Sequence, residues 1–356
     1  MDFRVDDVFT TLLTRVAPGS PLRTGLDRIL QSGRGALIVL SDASEVLNIC
    51  SGGFLLDAAF TPQRLTELAK MDGALILSDD LSRIARANVH LVPNPNVPTS
   101  ETGTRHRTAE RVARSLNVPT ISVSESRKEI QIYMGDHSHQ LSSVSRLLER
   151  SNQGIQTLER YRSRLNAVMQ NLLALEVENL ATVRDVVEAV QRVEMLMRIA
   201  AELERNLLEL GSDGRLVKLQ MDELMVGIDD ERRLLTKDYV ADNSAAAVTS
   251  VFEALALVDD DVLFDDVLLA KQIGFTNGSI ELSGSLVPRG FRLLSKIPRI
   301  TEDVVENIVA QFGDLKRVLQ LTEAELAAVD GIGPTRSRAL HEGITRLAQA
   351  SILDRL

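Results

Sequence analysis

The chain has one cysteine, no tryptophan and only 3% aromatic residues. Cys50, being alone, excludes an internal disulfide and any zinc site built from cysteines. With so few aromatics the cores must be filled by aliphatic side chains, which suits helix bundles and parallel sheets. Apolar runs are also short. The longest, such as Ala36 to Leu40, fall far below the ~20 residues needed to cross a bilayer. The N-terminus carries no basic stretch followed by an apolar core, so no secretory leader is expected. These absences together predict a cytoplasmic protein with no membrane partner. Ten prolines and 21 glycines leave no room for a long disordered tract.

Common nucleotide and hydrolase signatures are missing too. There is no Gly-x-x-x-x-Gly-Lys-Ser/Thr loop, no Gly-x-Gly-x-x-Gly at a strand end, no His-Glu-x-x-His and no nucleophile elbow. The net charge of −10 argues against a general nucleic-acid coat. That excess is unevenly spread. From Phe291 to Leu356 the chain holds nine basic and nine acidic residues, so the surplus of acid lies entirely upstream.

What is present divides the chain into three. Residues 1–145 alternate helical and strand patterns. Helices are predicted over Val5–Val16, Leu22–Ser32, Pro62–Lys70 (opened by Thr61, with proline at the first position) and Arg107–Leu116. Continuous apolar runs at Gly35–Leu40 and Asp72–Ser78 predict strands buried on both faces. Further strands are predicted at Val46–Cys50, Asn88–Val92, Thr120–Ser124 and Glu129–Met134, the last two joined in a hairpin through Glu125–Lys128. From about Leu141 the apolar spacing changes to three and four. It predicts long helices over 141–172, Asn179–Leu210, Met221–Tyr239 and Ala245–Ala256, with Gly211 ending the second. The acidic groups at Asp259–Asp261 and Asp265–Asp266 lack EF-hand spacing and suit helix caps. Beyond Phe291 the pattern is compact and helical, with a capping box at Thr322 and Glu325. The predicted architecture is an α/β N-terminal domain with a mixed sheet (1–145), an elongated α-helical spacer (146–290) and a small all-α domain (291–356).

Two stretches can carry chemistry. Thr104-Arg105-His106-Arg107-Thr108 opens a helix, where free N–H groups and the helix dipole favour an anion. Arginine forks and hydroxyls grip phosphate oxygens well. The same stretch also fits an exposed basic helix start paired with Glu101 or Glu110. Asp72-Gly73-Ala74 places a carboxylate at the mouth of a buried strand, which is costly unless it meets a cation, a cap or a hydroxyl. It also fits a turn aspartate capping Lys70-Met71. In the C-terminal part, Val329-Asp330-Gly331-Ile332-Gly333-Pro334 precedes a helix and is similar to a helix-hairpin-helix turn, whose glycines offer N–H groups to a phosphate. Arg336 and Arg338 follow with no acid between Gly331 and His341. A plain helix–helix turn with Gly-Pro punctuation fits as well.

Lys70–Ala74 and Glu101–Arg111 together resemble the two signature blocks of the diadenylate cyclase family. Asp57, Gly52-Gly53-Phe54, Ala87-Asn88 with Leu91, and Ser122-Val123-Ser124 agree with it, and the domain order matches one branch of that family. The resemblance implies condensation of two ATP into cyclic di-AMP with release of two pyrophosphates. It implies Asp72, Arg105 and His106 as catalytic residues, with Asp72 holding Mg²⁺ or Mn²⁺. Gly73 and Ala74 would let the nucleotide lie against the backbone, and Leu91 would pack near the adenine. Thr104, Arg105, His106, Arg107, Thr108 and Ser124 would contact phosphate, with Arg127 close by as part of the ATP site and His106 open between phosphate and metal. Family likeness further implies a homo-octamer with cyclase domains meeting head to head. It also implies a DNA end (Gly331, Gly333, Arg336, Arg338) that senses branched, Holliday-junction-like DNA and lowers cyclase output. A different reading is a non-catalytic structural protein that binds DNA and senses a nucleotide.

Overall fold

The computed structural model describes residues 7–275 and 281–353. Val5 and Asp6, the first residues of the predicted opening helix, lie outside these, as do residues 354–356 of the predicted C-terminal domain. Among the described residues the chain packs as two compact units. One takes in residues up to Gln153 together with Leu203–Leu219; the other holds Gly154–Glu202 and residues from Gln220 onward.

The first unit is built on eight strands. These are β1 (Ala36–Val39), β2 (Cys50–Ser51), β3 (Phe54–Ala59), β4 (Ala74–Leu77), β5 (Arg83–Leu91), β6 (Thr120–Ser124), β7 (Glu129–Met134) and β8 (His137–Leu141). The order is β2-β5-β4-β1-β6-β7-β8, with β3 also on β5. Only β1 and β4 run parallel; every other pair is antiparallel, so the sheet is mixed. Around it lie α1 (Asp7–Arg15), α2 (Pro21–Gln31), α3 (Ser44–Asn48), α4 (Pro62–Leu68) and α5 (Thr104–Leu116). The two predicted buried strands are β1 and β4, each buried at every position. Alternate side chains explain why both read as unbroken apolar runs. Ile38, Leu75 and Leu77 join a core with Leu22, Leu26 and Leu65 from α2 and α4. Leu37, Val39, Ala74 and Ile76 join a second core with Val46, Ala109 and Val112 from α3 and α5.

Some sequence expectations needed correction here. Val46–Cys50 is not a strand: Ser44–Asn48 is helical and only Cys50–Ser51 pairs with β5. Within Val46–Cys50 only Val46 is buried, so the run has no two-residue alternation to support a strand. β3 went unpredicted because Phe54-Leu55-Leu56-Asp57-Ala58-Ala59 does not alternate. It is an exposed strand held by its pairing with β5. β8 also went unpredicted, and α5 starts at Thr104 rather than Arg107.

Helices α6 (Val144–Glu178) and α7 (Val183–Leu210) confirm the long amphipathic pattern. Gly211 ends α7 in a left-handed turn, φ +53°. The predicted helix over Met221–Tyr239 is two, α8 (Arg215–Met225) and α9 (Ile228–Tyr239), because Gly227 between them adopts φ +75°. Helices α10 (Ala245–Ala256), α11 (Asp260–Leu263) and α12 (Asp266–Gln272) follow, with the Asp265 side chain capping α12 as expected. The end of the chain is helical throughout: α13 (Phe291–Ser295), α14 (Glu302–Phe312), α15 (Leu315–Val318), α16 (Glu323–Ala327) and α17 (Pro334–Leu353). The Thr322–Glu325 capping box is formed.

These last helices share one core with Leu173 of α6. A buried polar knot ties them to it. Glu176 pairs with Arg292 at 2.5 Å and accepts from the Tyr239 hydroxyl at 2.6 Å. The Asp238 carboxylate accepts the N–H groups of Gly290, Phe291 and Arg292 at 2.7, 2.7 and 3.0 Å, capping α13. Burial, reinforced by Glu176, pushes the Asp238 carboxyl up to about 7, against the pull of these N–H groups and Arg292. No helix among the described residues is long and apolar enough to cross a membrane.

Candidate active site

The site lies where β4 and β5 meet the start of α5. Gly103, at φ +84°, reverses the chain ahead of α5 and puts no side chain over its N-terminus. The first N–H groups of a 13-residue helix therefore face the site unopposed, which favours an anion. A cleft of about 760 Å³ opens there, lined by Asp72, Thr104, Arg105, His106, Ser124 and Arg127, with Glu125 and Ser126 at one side. A smaller lobe of about 300 Å³ is lined by Asp72, Gly73, Ala74, Leu91, Arg105 and Thr108. Asp72, Thr104 and Arg105 belong to both. One lobe is polar and basic, suited to phosphates. The other includes the buried Leu91 and Ala74, suited to a base or ribose.

Asp72 is fully exposed and its Oδ1 lies 3.8 Å from Arg105 Nη2. It caps nothing upstream by a side-chain hydrogen bond among the described residues. Arg105 can lie flat here because Gly35 precedes β1: a Cβ at Gly35 would stand 2.9 Å from the Arg105 guanidinium carbon. Arg127 is held across the cleft by Thr102 Oγ1 (2.5 Å) and Glu129 Oε1 (3.1 Å), and its own N–H donates to Ser124 Oγ (3.2 Å). Glu110, offered above as a partner for the basic loop, instead faces the Thr99-Ser100 turn and Arg114. Arg107 lines neither lobe; its Nε donates to the Glu101 carbonyl oxygen at 3.2 Å.

His106 borders the cleft from a buried position. The Tyr133 hydroxyl donates to Glu101 Oε1 at 2.9 Å and lies 2.8 Å from His106 Nδ1. With its one proton committed to Glu101, the tyrosine oxygen accepts from Nδ1–H. The neutral ring then carries its lone pair on Nε2, which has no protein partner among the described residues. Burial is the main cause of a His106 pKa below the ordinary histidine value, with Glu101 pulling the other way. The Glu101–Tyr133–His106 chain was not legible in the sequence, because Tyr133 lies 32 positions from Glu101 and 27 from His106.

Gly73 and Ala74 line the smaller lobe. The missing side chain of Gly73 also makes room for the β5 backbone: a Cβ there would stand 2.5 Å from Asn88 Cα and 2.6 Å from Val89 N. A divalent cation is compatible with the donors present. Asp72 is a free, exposed oxygen donor beside a phosphate-sized basic cleft, and Mg²⁺ commonly takes one or two carboxylates with substrate phosphates and waters. No cluster of three or more protein ligands exists among the described residues, so such an ion would be shared with the substrate.

At the other candidate site, Gly331 turns the chain at φ +82° between α16 and α17. The Cβ position of Gly333 is open. Arg336 Nη1 donates to the Gly331 carbonyl oxygen at 3.2 Å, and Arg338 lies 3.7 Å from Glu323. All four residues are exposed at the start of α17.

Comparison with known proteins shows the family. Residues 23–138 match the family described as DisA bacterial checkpoint controller nucleotide-binding, and residues 141–282 match the DisA bacterial checkpoint controller linker region. The DNA integrity scanning protein DisA of Frankia alni is 49% identical over 98% of both chains. That of Kineococcus radiotolerans is 48% identical, again over 98% of both. That of Streptomyces coelicolor is 45% identical, over 98% of this chain and 94% of the relative. With the nucleotide-binding match lying over the cleft and the likeness running the full length, the chain belongs to the DisA family of diadenylate cyclases.

Proposed function

We propose that this protein joins two ATP molecules into cyclic di-AMP across two facing copies of its first unit, and that DNA bound at α16–α17 lowers the output. The observation that carries the reading is the sharing of Asp72, Thr104 and Arg105 by a basic lobe and a lobe that includes the apolar Leu91 and Ala74. A nucleotide with its base beside Leu91 and its phosphates along Thr104–Thr108, Ser124 and Arg127 spans both. Asp72 lies where the ribose end of one ATP meets the phosphates of another, and is the residue to hold Mg²⁺ or Mn²⁺. When bound, that ion neutralises charge on the phosphoryl oxygens.

In each half-reaction the 3′-hydroxyl oxygen of one ATP bonds to the α-phosphorus of the other. The bond from that phosphorus to the β-phosphate bridging oxygen breaks, its electron pair leaving with pyrophosphate, and the hydroxyl proton passes to water. Arg105 and Arg127 stabilise the charge that builds on pyrophosphate as it leaves. Repeating the step with the roles exchanged closes the ring with two 3′–5′ links. Each ATP is nucleophile and electrophile in turn, so a two-fold pair of sites is the simplest arrangement that serves both. An octamer, two rings of four meeting at the cyclase units, supplies such pairs in the cytoplasm.

The test is incubation with ATP and Mn²⁺ or Mg²⁺, with products weighed by mass spectrometry. Wild type should yield cyclic di-AMP. Arg105→Ala should yield about 10²-fold less, as when one charge-stabilising donor is removed, and a strictly monomeric variant none. Absence of product from wild type in either metal would replace this reading with that of a nucleotide sensor.

The α16–α17 turn would meet DNA through backbone phosphates, so it should respond to shape rather than sequence. Replacing Gly333 and Arg336 together by Glu should weaken binding of a four-way junction about tenfold or more at moderate salt, read by gel shift. The drop in cyclase output on adding junction should vanish with it. Unchanged junction binding in that double variant would remove the turn from the account.

A further inference from the structure

Asn88 is the one non-glycine residue of the site held in the left-handed region, at φ +54° in the middle of β5. Non-glycine residues rest there at a cost, and persist only where the surroundings leave no alternative. Here the surroundings are explicit. Between the pairs Ala74↔Val89 and Ile76↔Arg86, β5 has two residues where β4 has one, so Ala87-Asn88 is a β-bulge. The bulge breaks the alternation: Ala85, Val89 and Leu91 pack on one face of the sheet and Ala87 on the other. A glycine from each neighbouring segment closes on it. Gly73 has its Cα against the Asn88 backbone, and a Cβ at Gly53 would stand 2.6 Å from the Ala87 carbonyl oxygen and 2.8 Å from that of Asn88.

A glycine at position 88 would satisfy the backbone angle with no strain at all. The asparagine adds a side chain, and that side chain has one described bond: Oδ1 accepts the Gly73 N–H at 3.1 Å. An N–H can only donate, so the carboxamide orientation is fixed by its partner. The bonded peptide is the one that follows Asp72. Asp72 itself is fully exposed, and among the described residues its carboxylate meets only Arg105, at 3.8 Å. Little packing of its own side chain is there to aim it, which leaves the backbone on either side of it.

We infer that Asn88 is the positioning residue for Asp72, clamping the Asp72–Gly73 peptide through the Gly73 N–H so that the carboxylate is presented at the junction of the two lobes. The inference rests on Asp72 being the catalytic carboxylate. It adds that the aim of this carboxylate is set from β5, by a bulge wedged between two glycines.

Two variants separate the clamp from the backbone. Asn88→Gly keeps the left-handed angle and removes the acceptor. Asn88→Asp keeps both the angle, which aspartate tolerates, and an oxygen facing Gly73. For each, the measurements are the unfolding midpoint, ATP affinity in EDTA, Mn²⁺ affinity of the ATP complex by electron paramagnetic resonance, and kcat with KM. Asn88→Gly should melt with wild type and bind ATP equally in EDTA. Its ATP complex should hold Mn²⁺ more weakly, and its kcat should fall by roughly 10- to 100-fold, the scale of a misaimed group. Asn88→Asp should recover most of that kcat, with KM raised by the added charge. Wild-type kcat and Mn²⁺ affinity in Asn88→Gly would overturn the inference. So would a loss that follows the midpoint or EDTA affinity down, or an Asn88→Asp as slow as Asn88→Gly. A wild type that makes no cyclic di-AMP fails the catalytic reading of Asp72 instead, and the Mn²⁺ comparison still decides whether Asn88 aims it.

Discussion

Asp72→Asn should abolish cyclic di-AMP synthesis, slowing it by about 10³-fold or more, while leaving ATP bound in EDTA at least as tightly as wild type. The substitution keeps the size and shape of the side chain and removes its charge. Because Asp72 is fully exposed, the unfolding midpoint should not move. Among the described residues its ion pair is with Arg105, at 3.8 Å, and losing the carboxylate leaves that arginine more strongly positive toward a triphosphate. Substrate affinity without metal should hold or rise while turnover disappears. That opposition distinguishes loss of a metal-holding carboxylate from general damage to the cleft. Turnover within tenfold of wild type would exclude Asp72 from the chemistry.

Gly73→Ala should be the most damaging single-methyl change in the first unit. The backbone of Gly73 is not left-handed, so alanine meets no dihedral penalty. The harm is contact alone. The new Cβ would fall 2.5 Å from Asn88 Cα and 2.6 Å from Val89 N, and these are main-chain atoms of a central strand that cannot swing aside. Relief requires β4 and β5 to separate at the Ala74↔Val89 pair, beside Asp72. Overpacking of this kind costs about 1–3 kcal/mol, occasionally more. We expect a lowered unfolding midpoint together with activity down by at least about 10²-fold, the scale of a roughly 1 Å misplacement. Since the clash is with backbone, adding Asn88→Gly should not rescue it. A Gly73→Ala protein with wild-type turnover would show that β5 does not hold this approach.

Much of the frame was legible in the sequence. Gly35–Leu40 and Asp72–Ser78 read as buried strands because helices cover both faces of the sheet, so apolar side chains are favoured on either side. Long helices announced themselves through spacing, and the Thr322–Glu325 box through local chemistry. Thr104–Thr108 was legible as a basic helix start because the helix start and its basic residues are neighbours in sequence. The misses share a different origin. β3 is held by a partner strand rather than by its own pattern. The clamp of Asn88 on Gly73 spans 15 positions, and the Glu101–Tyr133–His106 chain spans about twice that. No local rule encodes such pairings. Gly73 was legible as a point of close approach, but its fit against the β5 backbone was not, since a missing side chain reveals close approach without revealing by what.

The division of the chain has a bearing on how it is made. The first unit closes on itself only with Leu203–Leu219, a segment synthesised after the whole of α6 and most of α7. Glu209 in that segment accepts the Ser142 N–H at 2.6 Å and meets His139 Nε2 at 3.0 Å, at the end of the sheet. Gly211 packs on Ala17 and Pro18 beside α2. A nascent chain that has emerged only through β8 therefore has every strand of its cyclase sheet and lacks the piece that covers its edge. Completion of the catalytic half therefore needs residues that are synthesised only after α6 and most of α7.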